Sequence, residues 1–340
     1  MFQATDYSSR TVLISGGLKQ LPRLRQLRNG VISVWRSHPF FAKKGITLDR
    51  QVRQQPLTRW LHSFAIPLPC PAADPQSVCM TVTVSVLGSG SRGNCTFIRT
   101  DEVRLLIDAG MGHRELSRRL ESIGEDPEGV DAILVTHEHT DHSGALRSLV
   151  KDFSLKAYLS SGTMAALKTD EYEMNGSEII PIRPDVPFTV GDAEVRAFRV
   201  PHDAAEPVAF TINVTGLKIT QLTDVGWLSE TVAGHLRESD VLILESNHDL
   251  EMLRAGPYPW NLKQRLMSRH GHLSNTAVAQ FIRDQYDGRA RHLVLAHLSS
   301  TNNHPEIAKQ EAKRAIRFRG LNPEQLYVTN QDTPSPPIWL

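Results

Sequence analysis

The chain holds 340 residues, 40% hydrophobic and 22% charged, which is enough apolar material for one large core or two smaller ones. No window approaches about 18 uninterrupted apolar residues, so no membrane-spanning helix is expected. The net charge of +1 joins two unlike parts: residues 1–79 carry 11 Lys and Arg against 3 Asp and Glu, and the remainder carries 27 against 34.

In residues 1–79, Arg and Gln are scattered without helical or strand periodicity, and the run "AIPLPCPAADPQSVC" would interrupt regular structure. Three readings are open for this basic extension: a disordered arm, a targeting segment, or upstream sequence ahead of a true start at Met80. A methionine directly before "TVTVSVLGSG" favours the third. The cysteines Cys70, Cys79 and Cys95 form neither a C-x-x-C pair nor an even-numbered framework, which fits a reducing cytoplasm.

From Met80 onward, "TVTVSVLG", "CTFIRT", "RLLIDAG" and "AILVTH" read as strands by length and β-branched content. "HRELSRRLESIG" and "SGALRSLVKDF" read as helices. A second strand series follows: "AEVRAFRVPH", "VAFTINVTG", "KITQLTDVG", "VLILESNH" and "RHLVLAHLS". The late helices are "NTAVAQFIRDQ", with Ser274 or Asn275 placed to cap it, and "PEIAKQEAKRAIRF". This order predicts two sheets packed face to face with helices outside, in one domain over residues 80–340.

The stretch "VTHEHTDHSGAL" places His137, His139, Asp141 and His142 on the loop leaving a buried strand. Its spacing differs from H-E-x-x-H, where two histidines share a helix face. On an extended loop His137 and His139 point the same way and can hold one cation; a tight turn then brings Asp141 and His142 toward a second. Imidazole and carboxylate suit Zn²⁺, and Mn²⁺ or Fe²⁺ accept the same mixture. Solvated loop histidines are the plainer alternative, which the cost of so much polar capacity at a buried strand end disfavours. His202, Asp224 and His297 each close a later strand, and a carboxylate such as Asp224 can bridge two ions.

Two further segments bear on substrate. The glycines and serines of "GSGSRGN" let backbone N–H groups approach an anion, with Ser91 and Asn94 toward the cavity, although a hairpin turn explains the glycines equally well. "RAGPYPWNLKQRLMSR" sets Arg254, Lys263, Arg265 and Arg269 beside aromatic rings, either a basic lip that tracks a nucleic-acid backbone or a solvated helix face.

"THEHTDH" matches the H-x-H-x-D-H signature of the metallo-β-lactamase fold superfamily, and "LIDAG", "PHD", "TDVG" and "LAHLS" resemble its other loops in their usual order. "LGSGSRGNC", "ESNHDLEMLRAGPYPWNLKQR", "GHLSN" and "LAHLSSTNNHPE" narrow the resemblance to the YycJ/WalJ-like group of metallohydrolases, from about residue 80 to about residue 330. The resemblance implies a four-layer αββα sandwich (α/β) and two divalent transition-metal ions. His137, His139 and His202 would hold one ion, Asp141, His142 and His297 the other, with Asp224 between them. Asp108 would orient a ligand histidine, with a turn-capping aspartate as its plainer alternative.

The implied reaction is hydrolysis by a hydroxide bridging two cations about 3.5–4 Å apart, with Asp141 also orienting the nucleophile. For a leaving alkoxide, His272 of "HGHLSN" is the candidate proton donor, since phosphodiesterase branches of the superfamily resemble this region; packing or capping is its alternative. Ser91, Asn94, His248, Lys263, Arg265, Ser274 and Asn275 are the candidate substrate-binding residues. The resemblance implies 5′-directed exonuclease action on DNA, against which stands the net −7 of the domain. Only 72 residues separate Asp224 from His297, too few for a long β-CASP insertion. The competing readings are a small-molecule hydrolase of a cyclic phosphodiester, lactone or thioester, and an iron dioxygenase on the same fold.

Overall fold

A computed structural model describes residues 81–322 and 326–340; the basic extension of residues 1–79 lies outside the described residues. The first seven strands are β1 (Thr83–Gly88), β2 (Cys95–Arg99), β3 (Arg104–Ile107), β4 (Ala132–Leu134), β5 (Lys156–Ser160), β6 (Glu178–Ile182) and β7 (Phe188–Val190). The rest are β8 (Ala193–Arg199), β9 (Val208–Val214), β10 (Leu217–Leu222), β11 (Val241–Glu245), β12 (His292–Ala296), β13 (Leu326–Val328) and β14 (Ile338–Trp339). They form two seven-stranded mixed sheets, in the orders β14-β1-β2-β3-β4-β5-β6 and β13-β12-β11-β10-β9-β8-β7. The helices are α1 (His113–Ser122), α2 (Thr140–Ser143), α3 (Leu146–Asp152), α4 (Ser161–Leu167), α5 (Glu230–Leu236), α6 (Leu250–Ala255), α7 (Trp260–Leu266), α8 (Asn275–Asp284) and α9 (Pro305–Phe318).

Alternation along the strands builds the layers. Leu105 and Ile107 of β3, Val241 and Ile243 of β11, and Phe210 and Ile212 of β9 meet in a core between the two sheets. Leu106 and Ile133 face the other way, onto Leu116 and Leu120 of α1 and Leu146 and Leu149 of α3. Leu242, Leu244 and Leu295 pack on Val232 and Leu236 of α5, Val278 and Ile282 of α8, and Ala312 and Ile316 of α9. Central strands therefore bury both faces and read as unbroken apolar runs. The result is the expected αββα sandwich.

Two local details depart from expectation. "SGALRSLVKDF" is not one helix, because Ala109 intervenes: its N–H donates to the His142 carbonyl at 2.7 Å, and its own carbonyl accepts from Ala145 N at 2.8 Å. The backbone breaks there into α2 and α3. Strands β5, β6, β7, β13 and β14 were not among the expected ones; they are short, and β6 contains Pro181, which its edge position tolerates. Ser274, rather than Asn275, caps α8, accepting from Ala277 N at 3.1 Å.

Strand direction positions the site. β3, β4 and β5 are mutually parallel. β8 and β10 are each antiparallel to β9, so they run the same way, and β11 and β12 continue that direction. Residues leaving the C-terminal ends of these strands emerge along one edge of the sandwich.

Candidate metal centre

At that edge Asp108 follows β3, His137 follows β4, His202 follows β8, Asp224 follows β10, Glu245 ends β11 and His297 follows β12. Asp108, Asp224 and His297 all have positive φ, at 62°, 57° and 55°. Non-glycine residues enter this left-handed region uncommonly, Asp and His more readily than most. Here each strand turns sharply as it leaves the sheet, which aims the side chain across the edge.

The seven residues expected to hold metal come together. His137, His139 and His202 have ligand atoms within 4.8 Å of one another, as do Asp141, His142 and His297. Asp224 stands between the trios, with Oδ2 3.0 Å from His142 Nε2 and Oδ1 3.7 Å from His202 Nε2. Asp141 Oδ2 lies 3.6 Å from both His142 Nε2 and His297 Nε2. His137 Nε2 and His139 Nδ1 face each other at 2.9 Å.

The remaining ring nitrogens are held from outside the cleft. His142 Nδ1 meets Asp108 Oδ2 at 2.7 Å, and Thr136 N and Oγ1 donate to the same carboxylate. His297 Nδ1 meets Glu245 Oε1 at 2.8 Å, His202 Nδ1 meets the Gly271 carbonyl at 3.1 Å, and His137 Nδ1 meets Thr136 Oγ1 at 2.9 Å. An Nδ1–H fixed by an acceptor leaves the Nε2 lone pair directed toward the other donors of the cluster, the usual arrangement around a metal-binding histidine.

The donor set fits divalent cations on two observations. His202 Nε2, His297 Nε2 and Asp224 Oδ2 are buried and make no hydrogen bond among the described residues, although unpaired buried polar atoms are costly. Carboxylates also crowd the ring nitrogens of two of the histidines. Burial opposes charge on His297, yet Asp224, Asp141 and Glu245 push it up to about 10. Burial likewise opposes charge on His142, and Asp224 and Asp108 raise it well above the histidine range. At His142 and His297 the surrounding carboxylates thus favour positive charge, a field that a cation there would share, whereas burial holds His137 and His202 below the usual histidine range.

Glu245 was not singled out from the sequence. It is fully buried, and its Oε1 accepts from both His297 and His272, the latter at 2.7 Å, while Oε2 accepts from Leu273 N at 3.0 Å and Val225 N at 3.2 Å. Burial would raise its carboxyl, but the two histidines, His272 foremost, bring it to about 2. Asp224, Glu245, His272 and His297 also lie at metal-like separations, but through Nδ1 atoms spent on Glu245, so this group is a hydrogen-bond node. Its signal was present in "VLILE", an apolar strand ending in a carboxylate like its neighbours.

His272 sits between the trios, its ring 5.1 Å from that of His202 and 5.3 Å from that of His297, and among the described residues no hydrogen bond is made by its Nε2. Asn94 reaches the cluster, with Nδ2 3.2 Å from the Asp141 carbonyl and 3.4 Å from Asp141 Oδ2. The other candidate substrate residues stand apart from it. Ser91 is exposed and joins none of these contacts. Lys263 is turned inward, its ammonium donating to the carbonyls of Arg254 and Gly256 at 2.7 Å each, so it adds no charge to the lip. Ser274 is spent on its cap, and Asn275 is buried against Ser246 and Asn303. Arg265 is exposed but paired with Asp203. His248 is buried, its Nδ1 unpartnered among the described residues and its pKa lowered to about 4, chiefly by burial.

A fold of two sheets between helix layers, with histidines and carboxylates converging from strand ends, defines a class. Residues 103–298 match the β-lactamase superfamily domain, and the chain belongs to the metallo-β-lactamase fold superfamily as a metal-dependent hydrolase. Within it, the chain is 34% identical over 264 residues to the exodeoxyribonuclease YycJ of Bacillus anthracis, covering 76% of this chain and 98% of that protein. It is also 34% identical over 257 residues to the exodeoxyribonuclease WalJ of Streptococcus pneumoniae, covering 74% and 96%. The metallo-β-lactamase fold protein YhfI of Bacillus subtilis shares the fold, with a TM-score of 0.57 and 19% identity over 75% of this chain and 99% of that one.

Proposed function

We propose that this chain is a cytoplasmic, binuclear metal-dependent exonuclease that hydrolyses phosphodiester bonds of DNA from the 5′ end. The observation that carries the reading is the pair of donor trios sharing Asp224, with His272 held by Glu245 beside both. The exodeoxyribonuclease names of two relatives, matched over nearly their whole length, support DNA as substrate.

In this reading His137, His139 and His202 hold one cation, Asp141, His142 and His297 the other, and Asp224 serves both. Zn²⁺ suits such mixed imidazole and carboxylate donors best, with Mn²⁺ or Fe²⁺ as substitutes. Such a pair supplies a nucleophile at neutral pH and positive charge against the phosphoryl oxygens. Asp141 orients the attacking water. Attack at phosphorus breaks the bond to the leaving oxygen, which takes the proton from His272 Nε2. Burial works against a charged His272, but the Glu245 carboxylate outweighs it and raises the histidine's pKa, which favours a ring that carries a proton to donate. Asp108 and Glu245 keep His142 and His297 in the required tautomers.

The test is the release of mononucleotides from 5′-labelled duplex DNA with Mn²⁺ or Zn²⁺ present. Asp224→Ala should abolish release and lower metal content from about two ions per chain. A wild type that leaves every DNA and RNA substrate intact but cleaves a lactone or thioester would establish the small-molecule reading instead.

A further inference from the structure

Four basic residues were expected at the lip of the cleft, and the structure commits three of them. Lys263 caps backbone carbonyls, Arg265 pairs with Asp203, and Arg254 pairs with Glu251. Arg269 is exposed and meets no carboxylate among the described residues; its guanidinium carbon instead lies 5.2 Å from the ring centroid of Trp227. Trp227 is 51% exposed, a large apolar surface left in water.

Both residues are tied to the segments that carry the cluster. Trp227 stands three positions beyond Asp224, and Gly226 N donates to the Pro201 carbonyl, one residue before His202, at 3.0 Å. A Cβ on Gly226 would lie 2.4 Å from the Arg269 carbonyl oxygen, so the two backbones are in close contact. Beyond Arg269, His270 O accepts from Asp203 N at 3.1 Å, and Gly271 O holds His202 Nδ1. Three residues span at most about 11 Å of backbone, which matches a few bases at about 3.4 Å of rise each.

We propose that Trp227 and Arg269 form a stacking platform for a nucleobase beside the phosphodiester being cleaved, an assignment that rests on the DNA-hydrolysing reading above. The indole face accepts any base, which suits an enzyme that removes nucleotides in succession. The guanidinium adds a planar cation that stacks on the ring and reaches toward backbone phosphate. It also places positive charge at the lip of a domain whose net charge is negative.

The test is fluorescence anisotropy on a 5′-overhang duplex with phosphorothioate linkages, alongside KM for the cleavable duplex, using metal-loaded protein. Trp227→Ala should weaken binding and raise KM about 10-fold, and Trp227→Phe should retain most of the affinity. An abasic nucleotide among the first overhang positions should weaken wild-type binding similarly and cost Trp227→Ala little more. The wild-type abasic comparison needs no variant to fold. If Trp227→Ala binds the intact duplex as tightly as wild type, or the abasic duplex costs wild type nothing, the platform is wrong. Mononucleotide release by wild type would then leave the nuclease reading standing. If wild type releases none from any DNA, both are wrong.

Discussion

A single oxygen of Glu245 serves two histidines with different proposed duties, holding His297 toward a cation and His272 toward the leaving group. Their roles are separable by experiment because only His272 is assigned a proton to deliver. His272→Ala should lower kcat on DNA by about 10²- to 10⁴-fold while metal content, read by atomic absorption, stays near the wild-type value. The loss should shrink on a 4-nitrophenyl phosphodiester, whose leaving group departs without a proton. An equal loss on both substrates would reduce His272 to a structural residue. Replacing a carboxylate that supports a metal-binding histidine generally costs about 10- to 100-fold in metal affinity or activity. Glu245→Gln should therefore disturb metal content and kcat together, and unchanged values for both would remove Glu245 from the site.

At the scale of elements, the loop carrying the histidines is held by contact with its neighbour after β3. Gly110 makes this contact possible: a Cβ there would lie 1.6 Å from the Asp141 carbonyl oxygen and 2.7 Å from His142 N. Backbone atoms cannot yield as a flexible side chain would, so any larger residue must push the loop outward. Gly110→Ala should cost about 3 kcal/mol in urea unfolding and lower the bound metal per chain, because Asp141 and His142 move together. A variant as stable and as metal-replete as wild type would show that the loop has slack. The same junction explains why α2 and α3 are separate, since Ala109 takes backbone hydrogen bonds that a continuous helix would have used.

Across the whole molecule, both sheets deliver acidic and imidazole groups to a shared edge, so the sandwich closes over a concentration of buried titratable groups. Binding of cations only to the folded chain stabilises it by mass action, about 4 kcal/mol at a thousandfold excess over the dissociation constant. For a unit of this size that is about 10 °C in melting temperature. Calorimetry with and without a chelator should show a drop of that order, recovered on adding Zn²⁺ or Mn²⁺. No change would mean that the cluster holds no ion tightly. No helix among the described residues is long and apolar enough to cross a membrane, in keeping with the hydropathy of the chain.

The amino-acid sequence by itself determined the architecture and the class of chemistry. Doubly buried strands read as continuous apolar runs, and "THEHTDH" crowds its groups within a few positions, where local spacing alone implies a cation. His202, Asp224 and His297 were legible because each repeats one device, an apolar strand ending in a polar group. Tertiary structure decided which of these groups support the others and where the basic side chains point. Glu245 became central only when β11 aligned beside β10 and β12, and the short edge strands exist through pairing rather than propensity. Lys263, Ser274 and Asn275 proved committed to backbone and to buried neighbours, while Trp227 and Arg269, 42 positions apart, met beside the segments that carry His202 and Asp224. Composition and spacing report what a residue is able to do. Its actual partner depends on which distant segments the folded backbone brings within bonding distance.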